Sequence, residues 1–431
     1  MKTTARRTFL HHLAGMSGIA AAPSLLALPG NLFAADYPST LYPDPDNPDF
    51  YDETFWHQVK QAYTVSPALL NLNNGGVAPA PKVVQDALAR YNDLCNETPS
   101  YYMWRILDQG REPIRAKLAQ LAGCSAEEIA INRNTSEGLE TIIFGLRLKK
   151  GDEVVLTKQD YPNMINAWKQ REHRDGIVLK WLDFEFPIED DQAIVDTFAR
   201  AFTDKTKIVH ITHVINWNGQ VLPARAIADA AHARGIQVVV DAAHSFAQLD
   251  YAIPDLGADY FGTSLHKWLG APIGSGMLYV KKEHISQLYP LMAAGDPESD
   301  DIRKFENLGT RSFAIEQAIG QAIDFHLMIG TARKSERLFY LKNYWANQLL
   351  ELPEVSIGTS LKRKYSGAIG LLQIKDRTPQ QLGEYLFSRH KIHSVPIVWE
   401  NIAGLRVTPN VYTTLADLDR FIGAVRQFIA S

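Results

Sequence analysis

Two charged residues follow short apolar runs and are the first candidates for chemistry. Asp241 ends the run QVVVD, and Lys267 follows the run DYFGTS with Ser264 and His266 beside it. A lysine flanked by serine and histidine at the end of a buried strand indicates an amine that forms a Schiff base, with neighbours that bind a phosphate. A lysine taken alone is more often a solvated surface charge.

The carboxylate of Asp241 favours a functional role for Lys267 over that of a solvated surface charge. An unpaired carboxylate at the end of a buried strand is costly, so Asp241 needs a cationic partner. The protonated nitrogen of a pyridine ring is such a partner, and a charge-assisted hydrogen bond of this kind contributes about 1.5 to 3 kcal/mol. Asp241 and Lys267 together therefore predict a site for a pyridine-containing cofactor.

The elements that must position these residues are short β-rich runs, mostly separated by helical stretches. This alternation predicts an α/β fold, with a mostly parallel sheet covered by helices on both faces. Ligands of such sheets lie beyond the carboxyl ends of the strands, which is where Asp241 and Lys267 fall. The predicted strands are EIAIN (128–132), EVVLT (153–157), IVLKWLD (177–183), KIVHIT (207–212), QVVVD (237–241) and GMLYV (276–280).

Helical periodicity predicts helices over 82–96, 111–122, 312–330 and 332–350. The polar stretch 293–307 is expected to be irregular and outside the core. The resulting domain prediction is a signal peptide, a linker rich in proline and aspartate, a large cofactor-binding domain and a small C-terminal α/β domain. Their ranges are 1–35, 36–50, 51–310 and 311–431.

The N-terminus predicts export. Arg6 and Arg7 precede Thr8, Phe9 and Leu10 and then a modest apolar stretch, which is typical of a twin-arginine signal. We therefore expect the twin-arginine translocase as a partner and the periplasm as the destination. The small-residue cleavage site near 34–35 is imperfect, so membrane anchoring by an uncleaved signal stays open.

Composition excludes several classes of function. The net charge of -4 gives no basic surface for nucleic acid. No G-x-S-x-G, H-E-x-x-H or P-loop is present, and the histidines lack the spacing of a metal site. Cys95 and Cys124 are the only cysteines. They predict two unpaired thiols rather than a disulfide framework, although one bridge between them stays open.

Eight motifs, in order, resemble those of the class V aminotransferase family, whose members include cysteine desulfurases, kynureninases and isopenicillin N epimerase-like proteins. The wording is most similar to the epimerase-like branch, and the resemblance extends from about Leu70 to Leu418. It implies pyridoxal 5'-phosphate as cofactor, fold type I and a homodimer. The motifs are LNNGGVAP (72–79), NTSEG (134–138), QDYPNMINAW (159–168), HVINWNG (213–219), VDAAHS (240–245), TSLHKWLGAPIGSG (263–276), LGTR (308–311) and GLRVTPNVYTTLADLD (404–419).

The resemblance assigns roles around the cofactor ring. Lys267 would form the Schiff base and later move protons, which requires a pKa lowered by burial. Asp241 would hold the pyridine nitrogen and keep it protonated. Ala243 would pack on one face of the ring, and Tyr161 would stack on the other, where desulfurases use a histidine.

It also assigns a phosphate site. Thr135 and Ser136 would donate from the start of a helix, where backbone N–H groups bind anions. Ser264 and His266 would complete this site, and Thr310 would reach it from the second subunit. The alternative for Thr135 and Ser136 is a plain helix N-cap.

The remaining roles concern the phenolic oxygen of the cofactor and the substrate. Asn216 and His244 would lie near that oxygen. Arg406 would bind the substrate α-carboxylate with its planar fork, and Asn74 would line the same pocket. The alternatives are a surface arginine and a tight turn at the glycine pair after Asn74.

These roles predict an aminotransferase- or epimerase-type enzyme acting on the amino group of an amino acid or an amino-terminated peptide. A lyase or oxidative decarboxylase, such as a siderophore (pyoverdine-like) tailoring enzyme, is a second reading. A catalytically silent binding protein is the third, and silent members typically lose the lysine. Desulfurases of this family need a nucleophilic cysteine in the C-terminal half, and no cysteine follows Cys124.

Overall fold

A computed structural model describes residues 51–431, so the predicted signal peptide and linker lie outside the described residues. Its central element is a seven-stranded sheet with the strand order β2-β8-β7-β6-β5-β3-β4. A short strand, β1 (Leu70–Asn71), precedes these strands along the chain. The strands of the sheet are β2 (Ile129–Asn132), β3 (Glu153–Thr157), β4 (Val178–Leu182), β5 (Thr206–Thr212), β6 (Gln237–Asp241), β7 (Tyr260–Ser264) and β8 (Gly276–Val280).

All strands of this sheet run parallel except β8, which is antiparallel to β2 and β7. Every residue of β3 and β7 is buried, as expected for strands covered on both faces. The predicted mostly parallel α/β sheet is therefore confirmed.

Helices pack against the strands of the large sheet. Polar side chains cap the N-termini of several helices. Asn134, for example, accepts a hydrogen bond from the backbone N–H of Glu137. No helix within residues 51–431 is both long and apolar enough to cross a membrane. The α-helices of nine residues or more are α1 (Glu53–Gln61), α2 (Lys82–Glu97), α3 (Arg111–Ala122), α4 (Thr135–Gly145), α5 (Pro162–Asp175), α6 (Asp191–Ala201), α7 (Ala224–His232), α8 (Phe313–Ile329), α9 (Thr331–Leu349), α10 (Pro379–His390) and α11 (Leu415–Ile429).

The C-terminal part contains a second, four-stranded antiparallel sheet with the order β12-β13-β10-β9. Its strands are β9 (Val355–Ile357), β10 (Gly370–Ile374), β12 (Val395–Trp399) and β13 (Ile402–Val407), and the short β11 (Ile392–His393) pairs in parallel with β1. Residues 51–431 form one compact unit, and α8 packs against α2 and α3. A domain boundary at residue 310 stays a prediction.

The segment 293–307 differs from the prediction that it lies outside the core. Ile302 and Phe305 are buried in the core beneath the large sheet. Glu306 is buried as well, because both of its carboxylate oxygens accept hydrogen bonds from Arg115, at 2.7 and 2.9 Å. Glu306 also accepts from the backbone N–H of Ile131 on β2, so it covers the edge of the sheet.

Replacing Glu306 by alanine is expected to lower the free energy of unfolding by up to about 3 to 5 kcal/mol, because the buried charge of Arg115 would keep only the partly exposed Glu112 as its ion-pair partner. Denaturant titration would measure this change. Glu298→Ala, which breaks an exposed ion pair with Arg147, is the matched control and should change stability little. Equal effects of the two variants would contradict the prediction.

Candidate active site

Lys267 lies in the turn that follows β7, and its Nζ atom is 3.0 Å from Nε2 of His244. Burial lowers the pKa of Lys267 to about 8, although the charge of Asp241 opposes this shift. Burial and the charges of Lys267 and Arg406 hold the pKa of His244 well below its usual value. The imidazole is therefore neutral and can accept a hydrogen bond from Lys267.

Asp241 ends β6 and is buried. Its Oδ1 atom accepts a hydrogen bond of 2.9 Å from the backbone N–H of Ala243, which is also buried. Burial raises the pKa of Asp241, because the desolvated carboxylate is costly. A protonated ring nitrogen placed here would supply the counter-charge that the site needs.

The residues of the predicted phosphate site meet at the start of α4. The hydroxyl oxygens of Thr135 and Ser264 are 2.7 Å apart, and the backbone N–H of Thr135 donates to the same Ser264 oxygen at 2.9 Å. Asn134 is the N-cap of α4, so the alternative that Thr135 or Ser136 caps the helix does not hold. His266 lies in the same turn as Lys267, and its Nδ1 atom is 3.1 Å from the carbonyl of Ser275.

Arg406 projects from β13 and is buried. Its guanidinium donates to the carbonyl of Asn216 at 2.8 Å and to Oδ1 of Asn73 at 3.1 Å. Burial lowers the pKa of Arg406 to about 10, and the nearby Tyr161 opposes this shift. Tyr161 is 41% exposed, so one side of its ring is open to solvent or ligand.

Asn74 is placed differently from its predicted role. Its Oδ1 atom accepts from the Tyr412 hydroxyl and from Asn71, and its Nδ2 atom donates to the carbonyls of Thr408 and Asn71. All hydrogen-bonding positions of the side chain are thus used within the chain. The adjacent Asn73 contacts Arg406 instead, and the motif LNNGG did not show which asparagine faces the site.

Thr310 is exposed, and among residues 51–431 no hydrogen bond joins it to the residues around Lys267. Together with Trp104 and Arg311 it lines an open cavity of about 350 Å³. The site around Lys267 in one chain is therefore built without Thr310, and its role in a second subunit stays a prediction.

Sequence reasoning missed a pair of stacked tryptophans and a second buried carboxylate. The rings of Trp217 and Trp399 stack with centroids 5.0 Å apart, and Trp399 Nε1 donates to the carbonyl of Lys158 at 2.9 Å. Asp160 is buried after β3, two strands from the β6 strand that carries Asp241, and Thr212 on the intervening β5 donates to it at 2.7 Å. The sequence did offer a signal for Asp160, which lies in the motif QDYPNMINAW (159–168). Nothing in the sequence signalled that Trp399 packs on Trp217.

The residues fit pyridoxal 5'-phosphate. Three residues of the site carry a buried polar atom without a hydrogen-bond partner in the described part of the chain, namely His244 Nδ1, Asn216 Oδ1 and Arg406 Nε. A buried carboxylate for the ring nitrogen, an amine for the aldehyde and hydroxyl groups at a helix start for the phosphate are the donors and acceptors that this cofactor requires.

Comparisons with known proteins agree with this assignment. The profile of the aminotransferase class-V family matches residues 70–395. The chain is 26% identical to the isopenicillin N epimerase of Streptomyces clavuligerus, over 86% of this chain and 97% of that protein. It is 28% identical to a probable cysteine desulfurase of Halalkalibacterium halodurans, over 84% and 95%.

Two solved structures have the same fold. The apo cysteine desulfurase of Thermococcus onnurineus NA1 superposes with a TM-score of 0.77 at 20% identity, covering 86% of this chain and 98% of that one. A structure of C-DES with glycine covalently linked to the PLP cofactor gives a TM-score of 0.76 at 19% identity, covering 84% and 98%. These likenesses confirm the predicted fold type I.

Proposed function

The chain belongs to the class V aminotransferase family and is a pyridoxal-phosphate-dependent enzyme, and from this premise we propose that it works on the amino group of an amino acid or amino-terminated peptide. The observation that carries the proposal is the pairing of Lys267 with the neutral His244 close to the buried guanidinium of Arg406. A basic amine beside an anion-binding group suits a substrate that carries both an amino group and a carboxylate.

Each residue has a definite task in this proposal. The bound cofactor supplies an electron-accepting ring for a bond broken next to the substrate amino group. Asp241 keeps a proton on the ring nitrogen, and the amine of Lys267, whose pKa burial lowers to about 8, takes and returns a proton at Nζ. His244 accepts a hydrogen bond from that amine and orients it, and Arg406 holds the substrate carboxylate.

Transamination or epimerisation is the preferred reaction. Both need a group that moves protons without a covalent nucleophile, and Lys267 is placed for that task. Persulfide chemistry lacks the nucleophile that desulfurases of this family need in the C-terminal half, because no cysteine follows Cys124. Burial raises the pKa of Cys124 to about 12 and so suppresses its thiolate.

Two other functions remain as alternatives. A lyase or oxidative decarboxylase, such as a siderophore-tailoring enzyme, uses the same residues and breaks a different bond. A catalytically silent binding protein is disfavoured, because Lys267 and Asp241 are both present and both lie in the site.

The test is a screen of amino acids and amino-terminated peptides for shifts in the visible absorption of the bound cofactor, followed by mass spectrometry of the products. An oxo acid indicates transamination, inversion at the α-carbon indicates epimerisation, and loss of CO₂ or a side-chain fragment indicates the lyase alternative. A panel that shifts the absorption without any product would favour the binding protein.

Replacing Arg406 by lysine is expected to raise KM for the substrate found in that screen by about tenfold or more, with a smaller change in kcat, because lysine cannot bind a carboxylate with two parallel hydrogen bonds. Arg420→Lys, a change at an exposed arginine of α11, is the control. A selective fall in kcat with an unchanged KM would show that Arg406 does not bind the ground-state carboxylate.

We further propose that the protein is exported by the twin-arginine route, on the strength of Arg6 and Arg7 in the sequence. This route carries folded proteins and suits an enzyme that acquires its cofactor in the cytoplasm. Replacing both arginines by lysine is expected to leave cofactor-loaded protein in the cytoplasm, as measured by cell fractionation. Periplasmic protein from the double variant would contradict the proposal.

A homodimer is the proposed assembly. Thr310 lies at the surface and would complete the phosphate site of the partner subunit. The second copy would also cover exposed apolar side chains. These are Tyr101, Trp104 and Ile106, in the region of the cavity beside Thr310, and Ile273, between Lys267 and β8.

A further inference from the structure

A second buried lysine lies behind the turn that carries Lys267. Lys334 belongs to the first turn of α9 and is only 4% exposed. Its Nζ atom donates a hydrogen bond to the backbone carbonyl of Trp268, the residue that directly follows Lys267. A helix of the C-terminal half of the chain thus contacts the turn that presents Lys267.

The surroundings of Lys334 contain little to compensate its charge. Within residues 51–431 it forms no ion pair, and its other partner is Nδ1 of His326 on α8, at 3.3 Å. His326 is buried, and its Nε2 atom is 3.0 Å from the hydroxyl of Thr331. Burial and the charge of Lys334 hold the pKa of His326 well below its usual value, so the ring is neutral. It therefore donates to Thr331 and accepts from Lys334.

The carbonyl of Trp268 needs such a donor. The carbonyls of the neighbouring residues accept from backbone N–H groups, and the Trp268 side chain is itself buried; these carbonyls are those of Ser264, Leu265, His266 and Lys267. A buried carbonyl without a hydrogen-bond partner is costly, and the amine of Lys334 supplies that partner. The Trp268 ring also contacts the His244 ring edge to face, at 6.4 Å between centroids. Trp268 thus links Lys334 on one side with the partner of Lys267 on the other.

We propose that Lys334 is a positioning residue that fixes the backbone at Trp268 and thereby holds Nζ of Lys267 against His244, ready to react with the cofactor aldehyde. This inference rests on the proposed function, in which the cofactor attaches to Lys267. Lys334 itself does not touch the cofactor or the substrate. Its effect passes through one hydrogen bond to the residue next to Lys267.

Lys342 offers a matched control on the same helix. It is 0% exposed, and its Nζ atom donates to the carbonyl of Ser360 and the hydroxyl of Ser366, both at 2.9 Å. Burial lowers the pKa of both Lys334 and Lys342 to about 7. Both lysines are therefore buried, desolvated and hydrogen-bonded to neutral partners. Of the two, Lys334 alone bonds the turn that carries Lys267.

The experiment compares Lys334→Met with Lys342→Met and the parent chain. The cofactor is removed from each holoprotein, pyridoxal 5'-phosphate is added back, and the rise of the visible absorption band of the attached cofactor is followed. Hydrogen–deuterium exchange of residues 265–271 in the cofactor-free proteins gives a second readout. Lys334→Met is expected to slow attachment by about tenfold and to speed exchange in the turn, since the one buried hydrogen bond from α9 to the turn is lost. Lys342→Met should lower the unfolding midpoint but leave both readouts at the parent values.

The outcomes separate this inference from the function on which it rests. A parent chain that never attaches the cofactor to Lys267 overturns both. Normal attachment by the parent and by Lys334→Met overturns the positioning role alone, as does an equal slowing in both variants. If Lys334→Met does not fold, Lys334→Gln, which keeps a neutral donor on a shorter side chain, is measured against the same criteria.

Discussion

A Lys267→Ala chain is expected to lose at least about 10³-fold in kcat while still binding the cofactor without a covalent link. The change removes both the attachment point and the group that moves protons, and acid–base catalysis by one side chain alone contributes about 10²- to 10⁴-fold. Product formation measured by mass spectrometry gives kcat. Lys82→Ala, a change at an exposed lysine of α2, is the control and should leave kcat unchanged.

Peptide mapping after borohydride reduction tests the same residue in the unmodified protein. Lys304, Lys334 and Lys342 are also buried lysines whose pKa is lowered by burial, so a low pKa alone does not single out Lys267. Each of these three donates to a backbone carbonyl, whereas Lys267 contacts His244. A cofactor found on any lysine other than Lys267 would remove the basis of the proposed function.

The second large effect is expected from Asp241→Asn. Asparagine has nearly the same shape and keeps an acceptor for the Ala243 N–H, but it cannot hold a proton on the ring nitrogen. A ring without that proton stabilises the negative charge of the transition state less well. The value of kcat should therefore fall on the order of 10²-fold or more, and cofactor affinity should fall less. Steady-state kinetics and cofactor titration measure the two quantities.

Asp160→Asn provides the matched comparison. Burial raises the pKa of Asp160 to about 6, and this carboxylate bonds only Thr157 and Thr212 among the described residues. Its replacement should affect folding stability more than kcat. If Asp160→Asn impaired turnover as strongly as Asp241→Asn, the ring nitrogen would not be the reason for the effect.

The large sheet could be predicted from the sequence because its strands are buried on both faces. Continuous apolar runs of that kind have sharp ends, and β3, β6 and β8 have the predicted bounds. Asp241 at the end of β6 and Lys267 after β7 could be placed at one edge of the sheet for the same reason.

Other features depend on contacts between distant parts of the chain. Glu306 is charged and was expected outside the core, but Arg115 and the backbone of β2 satisfy it after folding. The choice between Asn73 and Asn74 depends on how β1 is placed against the C-terminal strands, which no local pattern encodes. Periodicity reports burial along an element and cannot report which remote group will neutralise a buried charge.

The pairing of β1 with β11 has a consequence for how the protein is made. Asn74 and Thr408, which bond each other beside this pair, are 334 positions apart, so the first strand emerges from the ribosome long before its partner. During that interval Leu70 and Leu72 lack the core that buries them in the finished protein. The loop that must close is among the longest the chain allows, which places the contact of Asn73 with Arg406 late in folding. A nascent chain that stops before Ile392 therefore leaves this part of the site unmade, however complete its large sheet.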